Sequence, residues 1–119
     1  MPKKIILRAG DTVVPAVLND TVAAKDFEKR MPFKVTAHRS SVDYCGTAAS
    51  GVFDPSETRS GWKNGDISLA GGWFAVLFDG EDKSGSYHGM MPIAHIDQAD
   101  LPLVKAMPET VKFVVEYAR

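Results

Sequence analysis

The chain has one cysteine and no apolar run long enough to cross a bilayer. A single cysteine excludes an internal disulfide and cannot supply a thiolate pair for zinc. The 14 basic and 15 acidic side chains nearly balance, so the chain lacks the cationic excess with which proteins neutralise nucleic-acid phosphates. Polar residues interrupt every apolar run before the roughly 18 to 20 residues of a membrane span. We therefore predict a cytoplasmic protein with no nucleic-acid or membrane partner.

Recognisable cofactor and catalytic motifs are also missing. The glycines form neither a nucleotide-phosphate loop nor the turn that presents a nucleophilic serine. The acidic segment 79–83 begins like a calcium loop, but Lys83 stands at its fifth position and Ser84 follows where glycine is required. The three histidines are dispersed along the chain and would form a metal site only by converging in space. The sequence predicts no cofactor and no metal site.

The 119 residues, 45% of them hydrophobic, fit a single domain over residues 1–119 with one core. Apolar and polar residues alternate along much of the chain, which is typical of half-buried strands. Glycines at Gly10 and at Gly71-Gly72 predict hairpins. Two long polar loops, 40–64 and 79–89, interrupt the pattern. The predicted strands are 5–7, 13–18, 33–38, 44–49, 67–70, 73–78, 90–96 and 111–118.

Two short helices complete the prediction. Asp20 or Thr21 can cap the first, because a side-chain oxygen there accepts the free N–H groups of the first turn, and Pro32 ends it. Asp100 can cap the second over residues 101–106. Seven or eight strands with two short helices indicate a mainly β protein, a closed or nearly closed barrel.

Five short motifs spread over most of the chain form a recognisable pattern. They are Leu18-x-Asp20-x-x-Ala23-x-x-Phe27, Met31-Pro32-Phe33, Asp43-Tyr44, Gly65-Asp66-Ile67 and Trp73-Phe74-Ala75-Val76-Leu77-Phe78. This pattern resembles that of the small bacterial cyclophilin-like proteins. Met31 stands where that family has leucine, and His95 departs from a glycine near the end of the 90–96 strand. The resemblance implies a closed cyclophilin-like β-barrel; the family is largely uncharacterised, so it implies no activity.

Cyclophilins that isomerise prolyl bonds carry a Phe-His-Arg strand and a Gln-Gly-Gly-Asp segment, and their arginine polarises the prolyl amide. In this chain Ala37 precedes His38-Arg39, and Gly71-Gly72 lacks the flanking Gln and Asp. The sequence therefore favours a binding protein over an enzyme. A weak peptidyl-prolyl isomerase that uses Arg39 stays open as an alternative.

Cys45 is the one thiol that could act as a nucleophile. A catalytic thiol needs a nearby base and a lowered pKa. No spacing links Cys45 to His38, His88 or His95, and a lone cysteine in a strand is more often a small apolar group. We expect Cys45 to be unreactive.

Aromatic and polar side chains in or beside the two long loops are the candidates for a ligand site, because barrel proteins usually carry their sites on loops. The candidates are Arg39, Tyr44, Trp62, Tyr87 and His88. We predict that they rim a groove for a small molecule or an extended peptide, with Arg39 contacting an anion or a carbonyl. The competing interpretation is that Tyr44 and Trp62 only close the barrel ends.

A third possibility is an interaction module that associates with itself. Pro15 lies inside an apolar run and has no backbone N–H to donate, so we expect it at an unpaired strand edge or a bulge. An exposed edge strand can pair with a second copy of the chain. This alternative predicts a homo-oligomer.

Overall fold

Eight strands, each antiparallel to its neighbours, are formed within residues 3–118, the part of the chain that the computed structural model describes. They are β1 Lys3–Ala9, β2 Thr12–Leu18, β3 Phe33–Arg39, β4 Asp43–Thr47, β5 Asp66–Ala70, β6 Trp73–Leu77, β7 Pro92–His95 and β8 Thr110–Tyr117. The strands close into a barrel in the order β1-β2-β7-β5-β6-β4-β3-β8. The predicted mainly β, closed barrel is confirmed. Closure gives each strand a neighbour on both sides, which protects the sheet from edge pairing.

The two hairpins predicted from glycine are present. Gly10 joins β1 to β2 with a φ of +58°, and Gly71 and Gly72 join β5 to β6 with φ of +62° and +85°. Two consecutive positive φ angles match the twist of the flanking strands, and glycine adopts them without steric cost. These turns set the register of both strand pairs.

One strand is shorter than its apolar run. The strand predicted over 90–96 covers only Pro92–His95, because Met90 exchanges backbone hydrogen bonds with Arg59 instead. This isolated bridge holds the end of the first long loop against the barrel. The predicted loop is therefore tied down at its last residues.

Two helices cover opposite ends of the barrel: α1 Val22–Glu28 and α2 Leu101–Lys105. Thr21 is the N-cap of α1, and its Oγ1 accepts the N–H of Ala24 at 3.1 Å. The helix ends at Glu28, before the cis Met31–Pro32 bond, because residues 29–30 already form a turn. Short 3₁₀ turns occur at Pro55–Glu57, Glu81–Ser86 and Gln98–Asp100.

The predicted cap of the second helix is only partly correct. Asp100 stands at the N-cap position of α2, but its side chain makes no capping hydrogen bond. Asp97 caps the preceding 3₁₀ turn instead, where its Oδ1 accepts the N–H of Ala99 at 3.2 Å. The 3₁₀ turn runs directly into α2, so the first free N–H groups lie upstream of the helix itself.

Aromatic rings fill the barrel from end to end. At one end Phe27 of α1 packs against Phe33 and Phe74, with ring centroids 4.9 and 6.0 Å away. At the other end Tyr44 packs against Phe78 and Phe113 at 5.8 and 6.0 Å. Burial of these rings drives closure of the barrel, since each removes a large apolar area from water.

The ladder between β2 and β7 is short. It joins two residue pairs, Val17 with His95 and Leu18 with Ala94. Pro15 pairs with Ile6 of β1 and lies in the part of β2 that β7 does not reach. This agrees with the prediction that Pro15 lies at an unpaired edge, because no ladder bond to β7 is needed there.

Candidate functional site

A second apolar cluster lies on the outside of the barrel, separate from the core. Ala75 and Leu77 of β6 are buried there, whereas Phe74 and Val76, which alternate with them along the strand, belong to the core inside the barrel. Trp62 covers this outer face, which also includes Cys45 of β4. A strand that is apolar on both faces must be covered on both, and here a loop provides the outer cover.

The edge of this cluster opens into a groove of about 330 Å³, which we call the aromatic groove. Among the residues that line it are Cys45, Trp62, Trp73, Tyr87, His88 and Met90. Both tryptophans of the chain are therefore in the groove. Trp73 and Tyr87 are more than half exposed, so aromatic surface is available to a ligand.

Trp62 is held in place by the second long loop. Its indole Nε1 donates to the carbonyl of Asp79 at 3.0 Å, and its backbone N–H donates to Ser84 Oγ at 2.9 Å. Its ring packs on Tyr87 with centroids 5.2 Å apart. The buried Ser84 anchors this loop, because its Oγ donates to the carbonyl of Glu81 and accepts the backbone N–H of Trp62. The wall of the groove is thus pre-formed.

His88 and Cys45 bring an imidazole and a thiol to the groove. His88 Nδ1 lies 2.7 Å from Ser60 Oγ, which orients the exposed ring. Burial, and secondarily the carboxylate of Asp43, raises the pKa of the Cys45 thiol. The structure pairs His38 with Cys45 across β3 and β4, a juxtaposition that no spacing revealed. Cys45 packs against the outer apolar cluster, and a raised pKa disfavours the thiolate, so Cys45 is better placed as part of an apolar wall than as a nucleophile.

Arg39 and Tyr44 lie elsewhere, at the barrel end near α2. Tyr44 is fully buried, and its hydroxyl is 2.7 Å from the carbonyl oxygens of Met107 and Pro108. Arg39 Nη1 donates to the carbonyl of Lys105 at 2.7 Å. The Arg39 guanidinium also stacks on the Tyr44 ring, 5.7 Å from its centroid. The interpretation that Tyr44 closes a barrel end is the one that matches its position.

The five predicted site residues therefore separate into two groups. Trp62, Tyr87 and His88 come together in the aromatic groove, whereas Arg39 and Tyr44 do not line it. Arg39 pairs with Tyr44 in the β3–β4 ladder, and paired residues point to the same face of a sheet. Because Tyr44 points inward, Arg39 is directed to the barrel end and not to the outer face.

Comparison with known proteins decides the family. A model of the cyclophilin-like family matches residues 7–116, nearly the whole chain. The chain belongs to the cyclophilin-like family. It is also similar to the solution structure of the hypothetical protein AF2241 from Archaeoglobus fulgidus, with a TM-score of 0.72 and 16% identity. That match covers 98% of this chain and 95% of the archaeal one, and at this identity it shows the fold alone. No curated protein matches the chain.

The Gly65-Asp66 motif of this cyclophilin-like barrel has a structural explanation. Gly65 has a φ of +108°, and a Cβ there would lie 2.2 Å from the carbonyl oxygen of Ile96. The next residue, Asp66, accepts the N–H of Lys63 at 2.9 Å and closes the turn into β5. The Gly-Asp pair is therefore needed for the β5–β7 approach, independently of any ligand.

Sequence reasoning missed Trp73, Leu77 and Met90 as groove residues. The uninterrupted apolar run 73–78 indicates a strand buried on both faces, because a strand with one solvated face alternates apolar and polar residues. Within residues 3–118 no group of three or more His, Cys, Asp or Glu side chains could hold a metal ion. None of the helices formed by these residues is long and apolar enough to span a bilayer.

Proposed function

We propose that the protein binds an apolar group in the aromatic groove, either the ring of a small molecule or a side chain of an extended peptide. The observation that carries this proposal is the apolar outer face of β6, covered by Trp62 and left open beside Trp73 and Tyr87. Exposed aromatic residues around a concave apolar floor are the usual anchors of ligand sites.

The size and charge of the groove support this class of ligand. A volume of about 330 Å³ is near the lower end of ligand sites and accommodates one ring or side chain with its neighbours. The lining contains Asp43 and His88 but no lysine or arginine. A neutral or weakly cationic apolar ligand fits this surface better than a phosphate-bearing one.

Binding is favoured over prolyl isomerisation by the position of Arg39. An isomerase of the cyclophilin type needs an arginine beside the bound prolyl amide, and Arg39 is directed to the α2 end of the barrel. The test below also detects self-association, because the exposed Trp73 is available to a second copy of the chain.

The test uses the two tryptophans as reporters. Indole and a mixed-sequence Xaa-Pro tetrapeptide are each titrated into ¹⁵N-labelled protein, following amide shifts, tryptophan fluorescence (for the peptide) and cis/trans exchange of the peptide. Tyr87→Ala removes an exposed groove ring, and Tyr117→Ala removes an exposed ring elsewhere, on β8. We expect Tyr87→Ala to weaken binding about tenfold and Tyr117→Ala to leave it unchanged.

The outcomes separate the alternatives. Saturable shifts around Trp62 and His88 with no change in peptide exchange support the proposal, and the preferred probe tells a small molecule from a peptide. Faster cis/trans exchange would replace it with isomerase activity. Absence of shifts with both probes would contradict it. So would a molecular mass that rises with protein concentration, if Trp73 becomes buried in the oligomer.

A further inference from the structure

A second groove, which we call the charged groove, lies where β2 meets β7. It has a volume of about 510 Å³ and shares no lining residue with the aromatic groove. It opens because β2 and β7 pair at only two positions, so the seam widens beyond Val17 and Leu18. The residues used below are Asn19, Asp20, Arg59, Lys63, Asp66 and His95, all of which line it.

The His95 imidazole is fixed by Asp66. His95 Nδ1 lies 2.8 Å from Asp66 Oδ1, and the second carboxylate oxygen of Asp66 accepts the backbone N–H of Lys63. Gly65 allows the close approach, since a Cβ there would lie 3.1 Å from His95 Cε1. A carboxylate on Nδ1 fixes the orientation of the ring and leaves Nε2 for a partner outside the pair.

Two cations beside His95 have no acidic partner. Arg59 and Lys63 both line the charged groove, and neither side chain pairs with a carboxylate within residues 3–118. Their backbone is held by the Met90 bridge to Arg59 and by the turn in which Asp66 N–H donates to Lys63 at 2.9 Å. The positions from which the two side chains extend are therefore rigid.

Acids also face the groove. Asp66 holds His95 and the Lys63 N–H, and Asp20 is a second acidic residue of the lining. Glu81 and Asp82 line a depression that they share with Arg59 and Lys63. Asn19 uses its amide on the carbonyl of Pro92 at 2.7 Å. On the far side of His95, a neighbouring depression adds the charges of Lys4, Asp97 and Asp100.

We propose that the charged groove binds a phosphate group, held by the guanidinium of Arg59 and the ammonium of Lys63 beside the His95 ring. Arginine presents paired N–H donors to two oxygens of a tetrahedral oxyanion, and lysine adds a point charge. Two cations side by side match the charge of a phosphate dianion better than that of a single carboxylate. The site is independent of the aromatic groove, and the failure of either proposal leaves the other standing.

The experiment titrates inorganic phosphate into ¹⁵N-labelled protein at constant ionic strength, following the His95 ring nitrogens and the backbone amides of residues 59, 63 and 95. We expect saturable shifts there and none around Tyr87. Arg59→Gln and Lys63→Gln should each weaken binding about fivefold. Lys25→Gln, an exposed lysine on α1, is the matched control and should leave binding unchanged.

Further arms make the result decisive. Sulfate, a tetrahedral dianion like phosphate, should bind at the same residues. Lys63→Arg should retain binding, because arginine keeps the positive charge and the N–H donors. Shifts that do not saturate, equal weakening by Lys25→Gln, or acetate binding as tight as phosphate would each overturn the proposal.

Discussion

The hydroxyl of Tyr44 lies 2.7 Å from the carbonyl oxygen of Met107, and this contact ties the start of β4 to the turn after α2. Arg39 lies on the same cluster, with its guanidinium carbon 5.0 Å from the ring centroid of Phe78. These two predicted site residues thus complete the closure of the barrel. Their energetic role can be tested directly.

Tyr44→Phe removes a buried hydroxyl and leaves the Met107 and Pro108 carbonyls with fewer donors. We expect the free energy of unfolding to fall by about 1 to 2 kcal/mol, measured by urea denaturation. Tyr87→Phe is the matched control, because the Tyr87 side chain is largely exposed and its change should stay within about 0.5 kcal/mol. Equal stability of the two variants would show that the Tyr44 contact is unimportant.

Gly46→Ala tests the close approach of β4 to β3. A Cβ at Gly46 would lie 2.3 Å from the Thr36 carbonyl oxygen and 2.7 Å from Val35 Cγ2, so the strands would have to separate. We expect a loss of about 3 kcal/mol or more, or failure to fold. Gly85→Ala, where a Cβ meets no atom within 4 Å, should melt close to the parent protein. A well-folded Gly46→Ala variant of parental stability would contradict the packing described.

Asp43→Asn tests whether burial disfavours the ionised form of the Asp43 carboxyl group. Burial raises the pKa of Asp43, against the opposing effect of its hydrogen bond from Ser40. Because the folded state holds this proton more tightly than the unfolded chain, ionisation costs stability as pH rises through and above the usual carboxyl range. The variant should therefore gain stability relative to the parent between about pH 4 and pH 7, measured by denaturation at each pH.

Asp54→Asn is the control of opposite sign. Hydrogen bonds from the Ser56 side chain and backbone lower the pKa of Asp54, so its stabilising contribution is present above the unfolded value and is lost as pH falls through the folded one. This variant should lose stability relative to the parent at neutral pH and match it in acid. The same pH trend in both variants would rule out the burial argument for Asp43.

Cys45 should react slowly with maleimide at neutral pH. Burial and Asp43 raise the pKa of its thiol, which reduces the thiolate fraction. The rate is compared with that of the denatured protein, and its rise with pH should come at a higher pH than for an exposed thiol. Indole that occupies the aromatic groove should slow the reaction further, because Cys45 lines it. A native rate equal to the denatured one would contradict both statements.

Local sequence determined the strands, the hairpins and the first helix. Gly10, Gly71 and Gly72 act through their own φ angles, and Thr21 caps α1 through an atom three residues away. Such effects depend only on neighbours in the chain. The prediction that Trp62, Tyr87 and His88 lie in or beside the long loops also rests on local sequence, whereas their meeting in the aromatic groove joins two separate loops.

Long-range packing decided the rest. Whether Tyr44 and Arg39 face a groove or the core depends on the β3–β4 register, and a shift of one residue exchanges the two faces. The Asp66–His95 pair joins residues 29 positions apart, and closure of the barrel alone brings them together with Arg59. Sequence by itself specified the barrel and part of one groove, while the fold determined which side chains share a surface, because sheet pairing and not chain distance sets that proximity.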